Sequence, residues 1–418
     1  MKFTISALAT AAALTALPGF AQELVLSIGS RGYGPAVERN IERYAAENPD
    51  VSIEWNKVSD VPGETRKLYV TGLTAKSPTP DIYAVDVIWA GEFAQRGWLE
   101  PLNGLLDEAT IDAFNPSLLA ASTVDGEVHA LPLYADGIHF FYRTDLLEKY
   151  GLDVPQTWEE VLAASQTITE GEGNPQLYGF VSMWAKIEGL FMNWLAFANG
   201  NGGGFYDAEG NVAVNSPANI EATQFMVDLL HEHRITPDSI LNARPDDART
   251  LFQQGRAAFL MVQDFVHAPL SADNSPVAGK FDFTRVPYFE GHEDANSTTM
   301  GGWFLGINPN SDNKEAAADF LAHFTAQEQQ LTAAVEDNRA PTIPGIYDND
   351  AMKGNAVLAK FGKNYDYGVV RPSAGSGSKY PRVSEIMQLE ITNALHRQKT
   401  VEEALNDAQA QLDALLSE

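Results

Sequence analysis

The sequence contains no cysteine among its 418 residues. Without cysteine the chain can form no disulfide, thiolate metal site, iron–sulfur cluster or cysteine nucleophile. Basic residues are also scarce, because 28 lysines and arginines stand against 56 acidic residues, giving a formal charge of -28. A field of that sign repels phosphate backbones and anionic lipid headgroups, so nucleic acid and membrane surfaces are poor partners for this chain.

Catalytic motifs are absent as well. The sequence has no G-x-S-x-G nucleophile elbow, and its glycine-rich loop at residues 29–35 (GSRGYGP) has no Walker lysine. His231 and His233 are close neighbours, but a metalloprotease helix needs its two histidines four residues apart. We therefore predict no catalytic residue, no cofactor and no metal site. The enzyme alternative is a secreted glycoside hydrolase that uses Asp86 and Asp136 as its two carboxyl groups.

An apolar run at the start of the chain falls short of a membrane span. Residues 1–21 carry one positive charge at Lys2, an apolar stretch over residues 5–17, a Pro18-Gly19 break and a small residue, Ala21. A span needs about 20 apolar residues, whereas this pattern is typical of a secretory signal peptide. We predict cleavage after Ala21 and a soluble periplasmic protein with no direct membrane insertion.

The remaining chain has the composition of a folded α/β protein. It is 44% hydrophobic and 20% charged, and short β-rich runs alternate with helical patterns. Residues 23–28, 51–58 and 81–87 are predicted strands of one βαβα unit, with its first helix starting at Pro35. The length exceeds one ordinary core and no flexible linker is present, so structured segments must cross any domain boundary.

Several later helices begin at recognisable caps. Thr157 with Glu160 and Thr400 with Glu403 fit the capping-box spacing, in which each side chain bonds the other residue's backbone N–H. Ser216 precedes a proline at the first helical position, which is also typical of a helix start.

Aromatic and charged side chains are found at predicted strand ends and turns. Taken singly each has a structural interpretation, because an isolated tryptophan is more often core and an aspartate at a strand end often caps a helix. Together they suit a sugar, whose hydroxyls pair with carboxylates and guanidiniums and whose apolar C–H faces stack on rings. The residues are Asp86, Trp89, Tyr134, Asp136, Asp264, Phe265, Trp303 and Arg371.

Five segments carry a resemblance to a known family. They are PDIYAVDVIWAGEFAQRGWLEPL from Pro80, ALPLYADGIHFFYRTDLLEKYGLDVPQTWEE from Ala130, LFQQGRAAF from Leu251, MGGWFLGINPNSDNKEAAADFL from Met300 and YPRVSEIMQLEITNAL from Tyr380. In these segments, which together span nearly all of the chain after the signal peptide, the protein resembles the extracellular solute-binding proteins (family 1) of carbohydrate ABC importers. Within that family it is most similar to the trehalose/maltose-binding proteins.

The resemblance implies a type II periplasmic-binding-protein fold. Two discontinuous α/β lobes would enclose a ligand cleft, and the chain would cross between them near Leu133, Pro287 and Ala340. The implied lobes are residues 22–133 with 287–340, and residues 134–286 with 341–418.

The resemblance also implies a set of ligand contacts. Asp86 and Asp136 would accept hydrogen bonds from hydroxyl groups, Arg66 and Arg371 would donate, and Trp303 would stack on a sugar ring. Tyr134 and Gly302 also stand at contact positions, and Trp89 and Asp264 complete the predicted set. Two positions depart from the family pattern: residues 29–35 lack a glutamate, and no tryptophan lies near Gln263.

These residues imply an α-linked disaccharide or glucoside, such as trehalose, maltose or sucrose, as the ligand. The alternative is another small polar solute on the same fold, such as glucosylglycerol or a polyol. In either case the lobes would close over the ligand, and the membrane permease subunits of the importer would recognise the closed form. The protein is expected to be a monomer.

Overall fold

The structure, a computed structural model, describes residues 22–30 and 33–417. The predicted signal peptide, residues 1–21, lies outside the described residues. Within that part of the chain there are eleven strands and seventeen α-helices. The strands are β1 (Gln22–Ile28), β2 (Val51–Lys57), β3 (Ile82–Asp86), β4 (Thr123–Val124), β5 (Glu127–Val128), β6 (Leu131–Arg143), β7 (Tyr178–Ser182), β8 (Ala257–Gln263), β9 (Phe281–Thr284), β10 (Thr298–Ile307) and β11 (Gly368–Val370).

The helices range from one turn to nearly five turns. They are α1 (Gly34–Glu47), α2 (Pro62–Thr74), α3 (Val87–Gln95), α4 (Glu108–Asp112), α5 (Pro116–Leu119), α6 (Thr144–Tyr150), α7 (Trp158–Glu172), α8 (Glu188–Gly200), α9 (Pro217–His231), α10 (Pro245–Gln253), α11 (His267–Ser271), α12 (Lys314–Thr325), α13 (Gln327–Asp337), α14 (Ala356–Tyr365), α15 (Ser373–Ser376), α16 (Tyr380–Leu395) and α17 (Val401–Ser417). No described helix is both long and apolar enough to cross a membrane.

The predicted βαβα unit is present at the start of the described chain. Strands β2, β1 and β3 pair side by side and in parallel, which confirms the three predicted strands. The third strand ends at Asp86, one residue before the predicted end. It stops there because the Asp86 carboxylate accepts the backbone N–H of Ile88 at 3.2 Å and so caps helix α3.

Strand β6 joins the two halves of the central sheet, whose strand order is β2-β1-β3-β10-β6-β8-β7. Its residues 131–137 pair antiparallel with β10, and its residues 138–142 pair antiparallel with β8. The predicted crossing near Leu133 therefore falls inside a continuous strand. Beside it, the backbone N–H of Ala135 donates to the carbonyl of Ala340 at 3.2 Å. The lobe boundaries themselves remain predictions.

Helix α8 packs an almost wholly buried apolar surface against the sheet. Trp194 and Phe197 on this helix are fully buried, and the Phe197 ring stacks on Trp158 with ring centroids 4.1 Å apart. Burial of such large rings stabilises the fold and fixes the helix axis. The first residue of α8, Glu188, is thereby held at one place at the edge of the core.

The predicted helix caps are confirmed. The Thr157 hydroxyl accepts the backbone N–H of Glu160 at 3.2 Å, and the Glu160 carboxylate accepts the backbone N–H of Thr157 at 3.2 Å. Thr400 and Glu403 form the same reciprocal pair, at 3.2 Å and 2.9 Å. Ser216 accepts the backbone N–H of Asn219 at 3.3 Å at the start of α9.

We expect Thr157→Ala to lower the free energy of unfolding by about 1 kcal/mol, because the Glu160 N–H loses its acceptor. Thr157→Ser keeps a hydroxyl at the cap and should retain most of the stability. Urea unfolding followed by circular dichroism measures both variants. Equal urea midpoints for Thr157→Ala and the wild type would show that the cap contributes nothing.

Candidate functional site

Three neighbouring strands place polar and aromatic side chains in one row. In the sheet, Trp303 on β10 lies opposite Asp86 at the end of β3 on one side and opposite Tyr134 on β6 on the other. The register shifts between Trp303 and Phe304, which pair with Tyr134 and Pro132, so Leu133 is an extra residue in β6. Bulges of this kind redirect side chains next to functional sites. The row faces a cavity of about 400 Å³.

Most of the predicted site residues meet at this cavity. Those among its lining residues are Arg66, Asp86, Trp89, Tyr134, Asp136, Trp303 and Arg371. Gly302 and Asp264 are not among them. A Cβ on Gly302 would lie 2.9 Å from the Tyr134 carbonyl oxygen, so this glycine lets β10 approach β6 closely. Asp264 is buried behind the wall, where it accepts the Tyr365 hydroxyl at 2.8 Å.

Arg371 connects distant parts of the chain at the cavity wall. Its Nη2 donates to Oδ1 of Asp86 at 2.9 Å, and its Nη1 donates to Oε1 of Glu188 at 3.2 Å. All three side chains are buried. Charge-assisted hydrogen bonds of this kind are among the strongest in a protein interior. The two terminal nitrogens of Arg371 are thus already bound by protein carboxylates.

Glu188 is a site residue that the sequence analysis missed. Its carboxylate also accepts the hydroxyl of Tyr380 at 2.5 Å and the hydroxyl of Ser384 on helix α16. A lone acid at the start of an otherwise apolar helix is the sequence signal that could have pointed to it. The three contacts satisfy the buried carboxylate and hold it toward Arg371.

A second buried cluster lies at the other side of Tyr134. The Arg339 guanidinium lies 5.4 Å from the Tyr134 ring centroid, and its Nη1 is 3.5 Å from Oδ1 of Asp264. Arg339 lines the cavity and was not predicted. Arg339 precedes the predicted crossing at Ala340 and is far in sequence from Tyr134 and Asp264. Only the assembled fold therefore brings it to the site.

Burial makes the cavity carboxylates harder to ionise. It raises the pKa of Asp86 to about 6, and the Arg371 charge opposes that shift. Burial likewise raises the pKa values of Asp136 and Asp264, and the repulsion from Asp264 raises that of Asp136 further. Hydrogen-bond donors that enter the cavity would stabilise the ionised forms of its two lining aspartates, Asp86 and Asp136.

The aromatic side chains are supported from behind. Trp303 is partly exposed, and its ring meets Trp89 edge to face with centroids 5.7 Å apart. Tyr33, from the loop that lacks the family's glutamate, stacks on Tyr134 at 4.9 Å. Phe265 lines the cavity two positions beyond Gln263, where the family has its tryptophan. Both departures therefore place aromatic rings at the site.

Arg66 lines the cavity but is bound by a protein carboxylate. Its Nη2 and Nε donate to Glu92 at 2.7 Å and 3.1 Å. Arg96 also donates to Glu92, at 2.9 Å. A two-point contact with a carboxylate holds the guanidinium plane in one orientation. Arg66 therefore presents a fixed edge to the cavity.

The geometry defines a binding site. Fixed carboxylates, fixed guanidiniums and supported aromatic rings surround a cavity of small-molecule size, since small-ligand sites measure about 300–1,000 Å³. The ion pair with Arg371 holds the Asp86 carboxylate in one place at the cavity wall. The protein thus has a small-molecule binding site on an α/β fold.

Comparison with known proteins gives the family. The family model described as bacterial extracellular solute-binding protein matches residues 29–331. The chain therefore belongs to the bacterial extracellular solute-binding proteins, as its resemblance predicted. Membership of this family also confirms the prediction that the chain is not an enzyme, and the glycoside hydrolase alternative falls with it.

Individual relatives span nearly the whole chain. A probable ABC transporter-binding protein of Deinococcus radiodurans is 32% identical over 367 residues, which are 85% of each protein. The mannitol-binding protein of Pseudomonas aeruginosa is 25% identical over 363 residues, 84% of this chain and 81% of that protein. The maltose-bound structure of MalE3 from T. maritima is 32% identical, with a TM-score of 0.88, and covers 95% of this chain and 100% of that one. The predicted type II periplasmic-binding-protein fold is thereby confirmed.

We expect Gly301→Ala to destabilise the protein by about 1–3 kcal/mol, the range for overpacking a close-packed interior. The new Cβ would lie 2.1 Å from Oδ1 of Asp136 and 3.2 Å from Nη2 of Arg371. Gly345→Ala is the matched control, because no atom lies within 4 Å of its Cβ position. Differential scanning calorimetry measures both, and equal melting temperatures for the two variants would contradict the close approach.

Proposed function

We propose that this protein binds an α-linked disaccharide or glucoside, such as trehalose, maltose or sucrose, and delivers it to the permease of an ABC importer. The observation that carries the proposal is the row of Asp86, Trp303 and Tyr134 facing one cavity. A sugar ring can stack on the Trp303 indole while its hydroxyls reach the neighbouring carboxylates. Few other small solutes present an apolar face and a polar rim together.

Relatives with known ligands support the carbohydrate class. The T. maritima MalE3 structure holds maltose and shares 32% of its sequence with this chain. The Deinococcus radiodurans relative is described as a probable ABC transporter-binding protein, which supports delivery to an importer of that kind. Periplasmic location, the monomeric state and cleavage of a signal peptide after Ala21 belong to the same proposal.

Lobe closure is the proposed mechanism. Asp86 and Trp303 belong to the first predicted lobe, and Asp136 and Glu188 belong to the second, so a ligand in the cavity touches both. Because a ligand that contacts both lobes binds the closed form better than the open form, it shifts the population toward closure. No bond is broken, and the permease would read the closed shape.

A polyol is the second candidate, because the mannitol-binding protein of Pseudomonas aeruginosa is 25% identical to this chain. A linear polyol has the hydroxyls that the cavity carboxylates accept but lacks a ring face for Trp303. Glucosylglycerol has both the hydroxyls and a sugar ring face, but it is smaller than a disaccharide. The two candidates therefore differ in how much binding depends on the indole ring.

We expect trehalose, maltose or sucrose to raise the melting temperature of the purified protein, because a ligand that binds only the native state stabilises it. Trp303→Ala should weaken binding about tenfold or more in isothermal titration calorimetry, since the stacking platform is lost. A shift with mannitol that survives Trp303→Ala would instead select the polyol.

Trp98→Ala is the matched control for that experiment. Trp98 packs edge to face on Phe93 with centroids 5.4 Å apart and is not among the lining residues of the cavity. It should lower stability and leave the sugar affinity unchanged. If no disaccharide, glucoside or polyol binds the wild type, the proposed function is wrong.

A further inference from the structure

The backbone of Arg339 is fixed on both sides of the side chain. Asn338 ends helix α13 in the left-handed conformation, with φ of 52°, and the backbone N–H of Arg339 donates to the Ala333 carbonyl at 3.2 Å. The next residue, Ala340, accepts the backbone N–H of Ala135 on β6 at 3.2 Å. The direction of the Arg339 side chain is thereby set by a helix end and a strand.

The guanidinium of Arg339 is buried, and one of its nitrogens has no acceptor within the described residues. It is 4% exposed, and its Nε is enclosed without any partner. The guanidinium lies 5.4 Å from the Tyr134 ring centroid, and its Nη1 lies 3.5 Å from Oδ1 of Asp264, a distance too long for a good charged hydrogen bond. Oδ1 of Asp264 is itself enclosed without a hydrogen bond.

Arg371 differs from Arg339 at its terminal nitrogens, although the Nε of Arg371 is also enclosed without a partner among the described residues. Both of its terminal nitrogens donate to protein carboxylates, at 2.9 Å and 3.2 Å. Both arginines line the same cavity. A buried donor without an acceptor costs free energy. A ligand oxygen beside Arg339 would accept the hydrogen bonds that protein carboxylates accept from Arg371. Of these two buried arginines, Arg339 is therefore the one whose terminal nitrogens are not already bound at hydrogen-bond distance to protein carboxylates.

The charges around Arg339 select the kind of acceptor. Among the buried groups the carboxylates outnumber the guanidiniums: Asp86, Asp136, Glu188 and Asp264 stand against Arg339 and Arg371. The other cations of the cavity wall lie in its partly or fully exposed part: Arg66, Lys67, Lys186 and Arg244. A carboxylate or phosphate on the ligand would add like charge to this cluster and would be repelled. A neutral hydroxyl can accept from Arg339 and still donate its own hydrogen to Asp136.

We infer that Arg339 is a specificity-determining residue that binds two adjacent hydroxyl groups of a neutral ligand, with Asp136 accepting a hydrogen bond from one of them. The planar fork of a guanidinium places two N–H donors side by side, which matches two neighbouring oxygens and not a single one. This inference rests on the proposed function, because it assumes that the cavity takes a polyhydroxyl ligand. It adds that sugar acids are excluded.

The test compares Arg339→Lys and Arg339→Gln with the wild type by isothermal titration calorimetry. The probe is whichever of maltose, trehalose, sucrose and mannitol the wild type binds most tightly, together with its monodeoxy analogues and maltobionic acid. Lysine keeps the positive charge but loses the planar fork. We expect both variants to bind the probe at least tenfold more weakly than the wild type.

Arg285→Lys is the matched control. Arg285 is also a buried arginine beside aromatic rings, 4.3 Å from Tyr288 and 3.9 Å from Tyr367, but it is not among the cavity residues. Its substitution should leave affinity within twofold of the wild type. Thermal unfolding of all three variants shows whether each is folded at the titration temperature.

Deoxy analogues separate direct contact from a structural role. Two adjacent deoxygenations should each cost the wild type at least fivefold in affinity and cost Arg339→Gln less than twofold. The inference would be overturned if deoxygenation lowered the affinity of the two proteins equally. It would also be overturned by unchanged affinity in Arg339→Lys, or by tighter binding of maltobionic acid than of the neutral probe. Failure of the wild type to bind any neutral probe would overturn the proposed function as well. That failure is recognised from the wild type alone, before any variant is measured.

Discussion

The guanidinium of Arg371, held between the carboxylates of Asp86 and Glu188, is the interaction on which the rest of the site depends. Asp86 ends the third strand, Glu188 begins a buried helix, and Arg371 follows the last strand of the sheet, so three remote elements meet at one cation. A buried charge without its partner is expensive, and each of the three therefore requires the others. All three side chains line the cavity and form part of its wall.

The same arrangement fixes the Asp86 carboxylate at the cavity wall. Asp86 serves at once as a helix cap and as an ion-pair partner, so its carboxylate is held in place from two sides. Its raised pKa, about 6, means that the folded protein retains a proton on this group to a higher pH than the unfolded chain does. The free energy of unfolding therefore falls as the pH rises from about 4 to about 6 and Asp86 ionises. Ligand hydroxyl donors offset that cost by stabilising the charged form.

Local signals in the sequence predicted the local parts of the structure. The capping boxes at Thr157 and Thr400 and the strand before Asp86 depend on residues within a few positions of each other, and all are present. The resemblance to a family supplied the fold, and most of the ligand contacts that the sequence analysis predicted lie at the cavity. The exact end of β3 was missed by one residue because the Asp86 cap competes with strand extension.

Contacts between remote residues could not be read from local pattern. Arg371 and Asp86 are 285 positions apart, and Arg371 and Glu188 are 183 apart, so no periodicity links them. Arg339 and Tyr33 reach the cavity only when their segments pack against β6. Asp264 looked like a wall residue because it follows a buried strand, yet it is buried behind the wall with Tyr365.

A double-mutant cycle on Asp86 and Arg371 tests this account most directly. Asp86→Asn, Arg371→Gln and the double variant are unfolded in guanidinium chloride at pH 7, and their free energies of unfolding are compared. Breaking a buried pair by removing one partner costs about 3–5 kcal/mol, and the double variant should lose clearly less than the sum of the two single losses. Losses that add to within about 0.5 kcal/mol would contradict the claim that this ion pair organises the site.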